Sequence, residues 1–284
     1  MLITKPGIYP DLSNEDYHKS EGLSNSKMSL LLPPSCPANF RYHEDNVEHK
    51  DTDAFNLGTA VHTACFEPLE FSKRFFMVQE IPKRNSNLGK AAHEGMLKQA
   101  GSKMILDKDE FKIVQDMSKA VTGHQVWKNL MAKVNKENSP IHIEHSLAWI
   151  DEDHNVLLRS RPDFYTHDLI IDLKTTKDST LQAFSRAVAE YGYHRQAALA
   201  CAGLKALTGR DYNQVILFVV DKNPPHFVRC YVLNQSAIMQ GVLEYKKAAE
   251  VYAECIRTNE WPSYPEVVED LDIPNYAYRT FDNE

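Results

Sequence analysis

The spacing of apolar residues along the chain changes several times and predicts a succession of helices and strands. In several long stretches apolar residues recur every three or four positions, the spacing of a helix with one buried face. Elsewhere, short apolar or alternating runs are bounded by turn residues, which is typical of strands. The pattern predicts helices at residues 23–32, 56–65, 88–100, 109–136, 180–207 and 236–258. It predicts strands at residues 141–150, 156–165, 169–175, 215–220 and 227–233.

The order of these elements indicates a mixed α/β core with a helical N-terminal part. Helices come first, followed by three strands, a helix, two strands and a closing helix. The polar turn at 151–155 joins the first two strands as a hairpin. Because no linker divides the chain, we expect a single domain over residues 1–284. Residues 1–45 would be an N-terminal extension packed on it, and residues 262–284, with three prolines, an irregular tail.

Composition narrows the class of protein. The 284-residue chain is 43% hydrophobic, has no apolar run long enough to span a membrane, and begins without the apolar region of a secretory signal. Its five cysteines are scattered, which argues against a zinc ribbon or an iron–sulfur cluster and favours a reduced, cytoplasmic protein. The net charge of −7 argues against general binding of phosphate backbones, but not against an enzyme with a carboxylate metal site.

Candidate chemistry is concentrated in the segment RSRPDFYTHDLIIDLKTT. Side chains alternate along a strand, so Asp172 and Lys174 point to the same face of an otherwise apolar strand. Asp163 lies nine residues earlier, where a hairpin could bring it opposite Asp172, although an aspartate after Pro162 is also common in simple turns. Two carboxylates can hold a divalent cation, and a nearby lysine can orient a water. This combination is suited to cleaving phosphodiesters.

Four motifs in order then resemble a known family. The sequence RPDFY…IIDLKTT resembles motifs II and III of the PD-(D/E)XK nucleases. GTAVHTACFEP, with Gly58 and His62, resembles the histidine motif of their RecB-like branch, and YGYHRQAALA, with Gln196, resembles its glutamine helix. The opening GIYPDLSNEDYH…LSNSKMSLLL…CPANFRY resembles the start of the RecE exonuclease domain (exodeoxyribonuclease VIII). Since Met1 directly precedes this domain, we expect a compact phage or prophage version. The resemblance implies the PD-(D/E)XK fold, a central mixed sheet flanked by helices.

The resemblance also implies roles for residues in the predicted site. His62, Asp163, Asp172 and the main-chain carbonyl of Leu173 would hold one or two cations, with Mg²⁺ as the expected cofactor and Mn²⁺ expected to work as well. Lys174 would orient the attacking water. Without the resemblance, His62 in its apolar helix would be interpreted as a core histidine.

Two further residues are candidates for the catalytic site. Glu144 lies upstream of Asp163, where related nucleases often carry a glutamate, although it could equally be an exposed strand residue. Gln196 would hydrogen-bond the substrate or the lysine strand. Many RecB-like nucleases carry an aromatic residue four positions after this glutamine, where this chain has Ala200, so no role is carried over to that position.

For DNA, basic and aromatic residues near the motifs are candidates. We expect DNA contacts from Arg159, Arg161, Lys177 and Tyr193, with Lys83 and Arg84 as further candidates for a basic lining.

The function implied by the resemblance is a 5′-to-3′ exodeoxyribonuclease on the ends of linear double-stranded DNA. Its 3′ overhangs would pass to a RecT-type single-strand annealing protein, and the enzyme would be a ring-shaped homo-oligomer, a tetramer. Two alternatives remain: a Cas4-like nuclease, which needs a downstream cysteine cluster, and a non-catalytic DNA-binding or scaffold protein on a nuclease fold.

Overall fold

The computed structural model describes residues 2–46, 57–212, 214–273 and 278 of the chain. The helices are α1 (Asn14–Lys19), α2 (Asn25–Leu31), α3 (Pro37–Asp45), α4 (Leu57–Phe66), α5 (Phe71–Arg74), α6 (Asn87–Ala100), α7 (Lys108–Gly123), α8 (Gln125–Lys136), α9 (Leu181–Glu190), α10 (Tyr193–Thr208) and α11 (Gln235–Thr258). The strands are β1 (Gly7–Tyr9), β2 (Phe75–Met77), β3 (Met104–Leu106), β4 (His142–Ile143), β5 (Ser146–Asp151), β6 (Val156–Ser160), β7 (Phe164–Tyr165), β8 (Ile170–Thr176), β9 (Val215–Asp221) and β10 (Val228–Val232).

A central mixed sheet has the strand order β10-β9-β8-β7-β4. Strands β8 and β9 run parallel, and the other neighbours are antiparallel. A second, antiparallel sheet has the order β1-β5-β6, and β2 and β3 form a small parallel pair. Helices pack against the central sheet, which confirms the predicted α/β class.

Both faces of the central sheet are buried, as is typical of parallel strands. Ile170 and Leu217 pack in one apolar core with residues of α2, α10 and α11. Leu173 and Phe218 pack in a second core with residues of α4 and α7. Because side chains alternate along β8, Asp172 and Lys174 lie on the α10 side of the sheet.

The predicted hairpin is present, but each of its strands breaks in two. The first strand is interrupted at Glu144, whose backbone has a positive φ of 55°, and it continues as β4 and β5 in different sheets. The second is interrupted at Arg161-Pro162-Asp163, where proline offers no N–H to the ladder, and it continues as β6 and β7. The prediction of two continuous strands was therefore wrong, whereas their antiparallel pairing is confirmed.

Two predicted helical stretches are also divided. Residues 109–136 form α7 and α8 because His124 adopts an extended conformation between them, and its ring accepts a hydrogen bond from the N–H of Val126. Residues 180–207 form α9 and α10 because Gly192 has a φ of +63°, in the left-handed region. The predicted helix over residues 23–32 is confirmed as α2, capped by Ser24. The helix predicted from residue 56 is described from Leu57 onward, and residue 56 lies outside the described residues.

The N-terminal residues contribute directly to the fold. Strand β1 pairs with β5, and Leu23, Met28 and Phe40 are buried in the core with α10 and α11. Residues 259–273, the continuous described part of the tail, form no helix or strand, and the N–H of Ala38 bonds the carbonyl of Pro262. Among the described helices, none combines the length and apolar character needed to cross a membrane.

Candidate active site

The two breaks in the hairpin bring two carboxylates together. Glu144 lies between β4 and β5, Asp163 precedes β7, and the Glu144 N–H donates to the Asp163 carbonyl at 3.1 Å. His62 reaches the same point from α4, with Nδ1 3.4 Å from Asp163 Oδ2. One ligand atom from each of these three residues lies within 4.8 Å of the others. In the described part of the chain this is the one such group of three metal-ligating side chains.

The main chain of Leu173 contacts this cluster from the sheet side. Its N–H donates to Asp163 Oδ2 at 2.7 Å, and its carbonyl lies 2.6 Å from His62 Nε2. A proton on Nε2 would leave Nδ1 free to bind a cation beside Asp163. Leu173 was predicted as a metal ligand. Its carbonyl lies beside His62 and supplies an acceptor for the imidazole, which no sequence motif identified. Its role as a metal ligand stays a prediction.

Asp172 and Lys174 form a second group next to this cluster. Lys174 Nζ lies 2.5 Å from Asp172 Oδ2 and donates to Gln196 Oε1 at 3.1 Å. Gln196 Nε2 donates in turn to Asp172 Oδ1 at 3.2 Å. The predicted triple of Asp172, Lys174 and Gln196 is therefore brought together. Asp172 lies outside the three-residue cluster, in which Glu144 takes its place, so its role as a metal ligand stays a prediction.

Electrostatics at the site favour a bound cation. Burial, together with the charge of Asp172, raises the pKa of Asp163 well above its ordinary value. Burial and Asp163 raise the pKa of Glu144 to about 7. Burial lowers the pKa of Lys174, but Asp172 and Asp163 outweigh it and raise that pKa overall. Burial, followed by Lys174, lowers the pKa of His62, which keeps its imidazole neutral and able to ligate. Three carboxylates face one ammonium, so a divalent cation would offset the excess negative charge, and imidazole plus carboxylate donors fit Mn²⁺ or Mg²⁺.

Comparison with known proteins identifies the family. Residues 24–273 match the family described as PDDEXK-like domain of unknown function (DUF3799). The chain belongs to this family. Together with the mixed sheet, this PDDEXK-like assignment confirms the predicted PD-(D/E)XK nuclease fold and supports a nuclease of that type. It does not single out RecE. None of the curated proteins compared with the chain matches it.

A solved structure shares the fold of the chain at low sequence identity. A "putative exonuclease" from Eubacterium rectale is 12% identical, with a TM-score of 0.56, and the match covers 90% of this chain and 96% of that one. An alkaline exonuclease from Laribacter hongkongensis is also 12% identical, and that match covers 68% of this chain and 96% of the other. Its TM-score of 0.25 is too low to show a shared fold.

Two arginines predicted to contact DNA, Arg159 and Arg161, lie against the ring of Tyr17. Arg159 is 1% exposed, donates to the carbonyl of Gly22 at 3.1 Å, and has its guanidinium 4.5 Å from the ring centre of Tyr17. The prediction that Arg159 contacts DNA is therefore wrong. Arg161 also lies on Tyr17, at 4.3 Å, and its side chain is 9% exposed. It donates to the hydroxyl of Ser146 at 2.8 Å. Because Arg161 is only partly buried, its predicted DNA contact stays a prediction.

Arg161 nevertheless belongs to the surroundings of the site. Its Nη1 lies 3.9 Å from Glu144 Oε2, and its Nη2 donates to the carbonyl of Leu12 at 2.9 Å. It thus links the N-terminal segment to the candidate metal ligand Glu144. Tyr17, which both arginines contact, carried no sequence signal, because a tyrosine in a short polar helix is ordinary.

The remaining predicted DNA contacts are accessible. Lys177 is exposed just after β8, and Tyr193 is half-buried with its ring centre 4.5 Å from Lys174 Nζ. Lys83 and Arg84 are exposed in the loop before α6.

The Cas4-like alternative requires a cysteine cluster. All five cysteines are free, and within the described residues none joins a group of three metal-ligating side chains.

Proposed function

We propose that the protein is a metal-dependent exodeoxyribonuclease that digests linear double-stranded DNA from its 5′ ends. The observation that carries this proposal is that two groups, His62–Glu144–Asp163 and Asp172–Lys174–Gln196, lie side by side. Asp163 of the first group accepts from the N–H of Leu173, the residue between Asp172 and Lys174 of the second. The first group offers ligands for a divalent cation. The second presents the partly buried ammonium of Lys174 beside it.

The residues of the site have separable tasks in this reaction. His62, Glu144 and Asp163 would hold the cation, which when bound lowers the pKa of a water and offsets charge on the phosphate. Lys174 would orient the attacking water and donate to a phosphate oxygen as negative charge builds there. Asp172 and Gln196 fix the ammonium by bonds to Nζ of 2.5 and 3.1 Å, so that it needs no rearrangement during the reaction.

The choice of substrate and polarity rests on resemblance. The opening of the chain resembles the RecE exonuclease domain, and the Eubacterium rectale protein of similar fold carries an exonuclease description. We therefore include in the proposal a 3′ overhang as product, a RecT-type annealing protein as its recipient, a ring-shaped tetramer as the assembly, and Mg²⁺ as the cation.

A nuclease assay tests the proposal. Linear duplex labelled on either the 5′ or the 3′ end is incubated with Mg²⁺, with Mn²⁺ or with a chelator, alongside covalently closed circular DNA. We expect early release of the 5′ label, dependence on the cation and resistant circles. The variant Asp163→Asn serves as the control and should be inactive. Early loss of the 3′ label would refute the polarity. Absence of any cleavage with either cation would refute the nuclease function and favour a DNA-binding or scaffold protein.

A further inference from the structure

An ionic cluster lies at the first turn of α10, the helix that carries Gln196, and takes no part in the candidate site as described so far. The Arg195 side chain is 7% exposed and emerges from the first turn of α10. Its Nε donates to Asn25 Oδ1 at 2.8 Å, its Nη2 to Ser29 Oγ at 2.5 Å, and its Nη1 to Glu244 Oε2 at 3.1 Å. One guanidinium therefore connects α2, α10 and α11.

His194, the preceding residue, adds to the same cluster. Its Nε2 lies 2.9 Å from Glu244 Oε1, and its Nδ1 lies 3.2 Å from the carbonyl of Val188 in α9. Glu244 thus binds both consecutive residues, one with each carboxylate oxygen. Such a pair of contacts resists rotation of the first turn of α10 as well as its translation.

Two glycines allow the backbones to approach closely at this point. A Cβ at Gly241 of α11 would lie 2.4 Å from the carbonyl oxygen of His194. A Cβ at Gly192, which already requires a positive φ, would lie 2.6 Å from Arg195 Nη2. The cluster therefore fixes the backbone of α10 as well as its side chains.

The next residue along α10 is Gln196, about 100° further around the helix. It accepts from Lys174 and donates to Asp172, so its amide bridges the two groups that the proposed reaction requires in fixed relation. A glutamine side chain has three rotatable bonds. Its amide is held in place only while the backbone at the start of α10 stays fixed.

We propose that Arg195 is a positioning residue: with Glu244 and Asn25 it fixes the first turn of α10 so that Gln196 holds the Asp172–Lys174 pair. The inference rests on the proposed nuclease function only for its kinetic effect. A displacement of the first turn by about 1 Å would break the bonds of Gln196, and misplacement on that scale costs up to about a hundredfold in rate.

A double-mutant cycle distinguishes positioning from general stability. We expect Arg195→Met to lower kcat on linear duplex with Mn²⁺ by about tenfold and to change KM by less than about twofold. In a Gln196→Ala background the same substitution should lower kcat no further, because the residue through which it acts is gone. Equal losses in the two backgrounds, or an unchanged kcat, would overturn the proposal.

Two further variants distinguish a loss of positioning from a general loss of stability. Lys27→Met removes a partly buried ion pair of 2.8 Å between α2 and α3 without touching α10, and should leave kcat unchanged even where it lowers Tm. Asn25→Ala removes the acceptor of Arg195 Nε and the donor to the Tyr191 carbonyl, but keeps the Arg195–Glu244 pair. It therefore gives a milder test if Arg195→Met fails to fold. Asn25→Ala should lower kcat by about threefold in the wild-type background. In the Gln196→Ala background it should leave kcat unchanged.

A spectroscopic measurement tests the same inference without any catalysis. In protein labelled with ¹⁵N-glutamine, the side-chain amide of Gln196 is assigned by its loss in Gln196→Ala. We expect its protons to exchange with water at least about tenfold faster in Asn25→Ala or Arg195→Met, and at the wild-type rate in Lys27→Met. Unchanged exchange in both cluster variants would overturn the positioning role, whether or not the protein cleaves DNA.

Discussion

Replacing Glu144 by glutamine should raise the stability of the metal-free protein and reduce the stabilisation that Mn²⁺ provides. Burial and Asp163 raise the pKa of Glu144 to about 7, against about 4.3 in an unfolded chain. The folded protein therefore binds more protons than the unfolded chain between these pH values, and metal-free stability falls as pH rises through that window. Glu144→Gln removes the ionisable group and hence this loss.

The size of the effect follows from the shift. At about 1.4 kcal/mol per pKa unit the rise corresponds to at most ~4 kcal/mol. The side chain of Glu144 is 32% exposed, and solvent that reaches it reduces the figure to about 2 kcal/mol. For a chain of this length that corresponds to a rise in Tm of about 4 °C.

Calorimetry with and without a chelator measures this directly. In chelator at pH 8, Glu144→Gln should melt about 4 °C above the wild type, and near pH 4.5 the two should melt together. On addition of Mn²⁺ the wild type should gain more in Tm than the variant, because the variant has lost a charged ligand. Glu152→Gln, an exposed substitution on the hairpin turn, is the matched control and should behave as wild type. A variant no more stable than wild type in chelator at pH 8 would refute the electrostatic argument.

Three further predictions address the site and the assembly. Lys174→Met should slow cleavage by about a hundredfold while metal binding, measured by titration calorimetry, stays close to wild type; a normal rate would remove Lys174 from the chemistry. His62→Ala should weaken binding of Mn²⁺, and Mn²⁺ should support wild-type cleavage at least as well as Mg²⁺, because imidazole suits manganese better; unchanged affinity would make His62 a core residue. Light scattering should report several times the 32.5 kDa chain mass, and a monomer that digests long duplexes processively would contradict the ring.

Much of the site could be predicted because it depends on strand periodicity. Alternation alone placed Asp172 and Lys174 on one face of β8, and their 2.5 Å contact confirms it. The polar turn at residues 151–155 predicted that the strands on either side of it pair in antiparallel fashion. The motifs also indicated Gln196, which bonds both residues.

What could not be predicted depends on local backbone conformation and burial. Nothing in the sequence indicated the positive φ of Glu144, and that single conformation moves the chain from one sheet to the other. Arginine in a strand is normally interpreted as surface charge. Arg159 is buried, with the ring of Tyr17 from a distant part of the chain packed against its guanidinium. Contacts of this kind arise in the folded chain and leave no pattern in a local segment.

The broken hairpin has an evolutionary consequence. Its register is unchanged on both sides of the break, from His142↔Tyr165 in one sheet to Asp151↔Val156 in the other, so Glu144 stays opposite Asp163. The number of residues in each strand between the turn and the break therefore determines whether Glu144 and Asp163, two candidate metal ligands, lie opposite each other. Substitutions along these strands are compatible with that count, whereas gain or loss of one residue would slide one carboxylate past the other. Length variation among relatives should therefore be confined to the turn between the strands, where added residues leave the count intact.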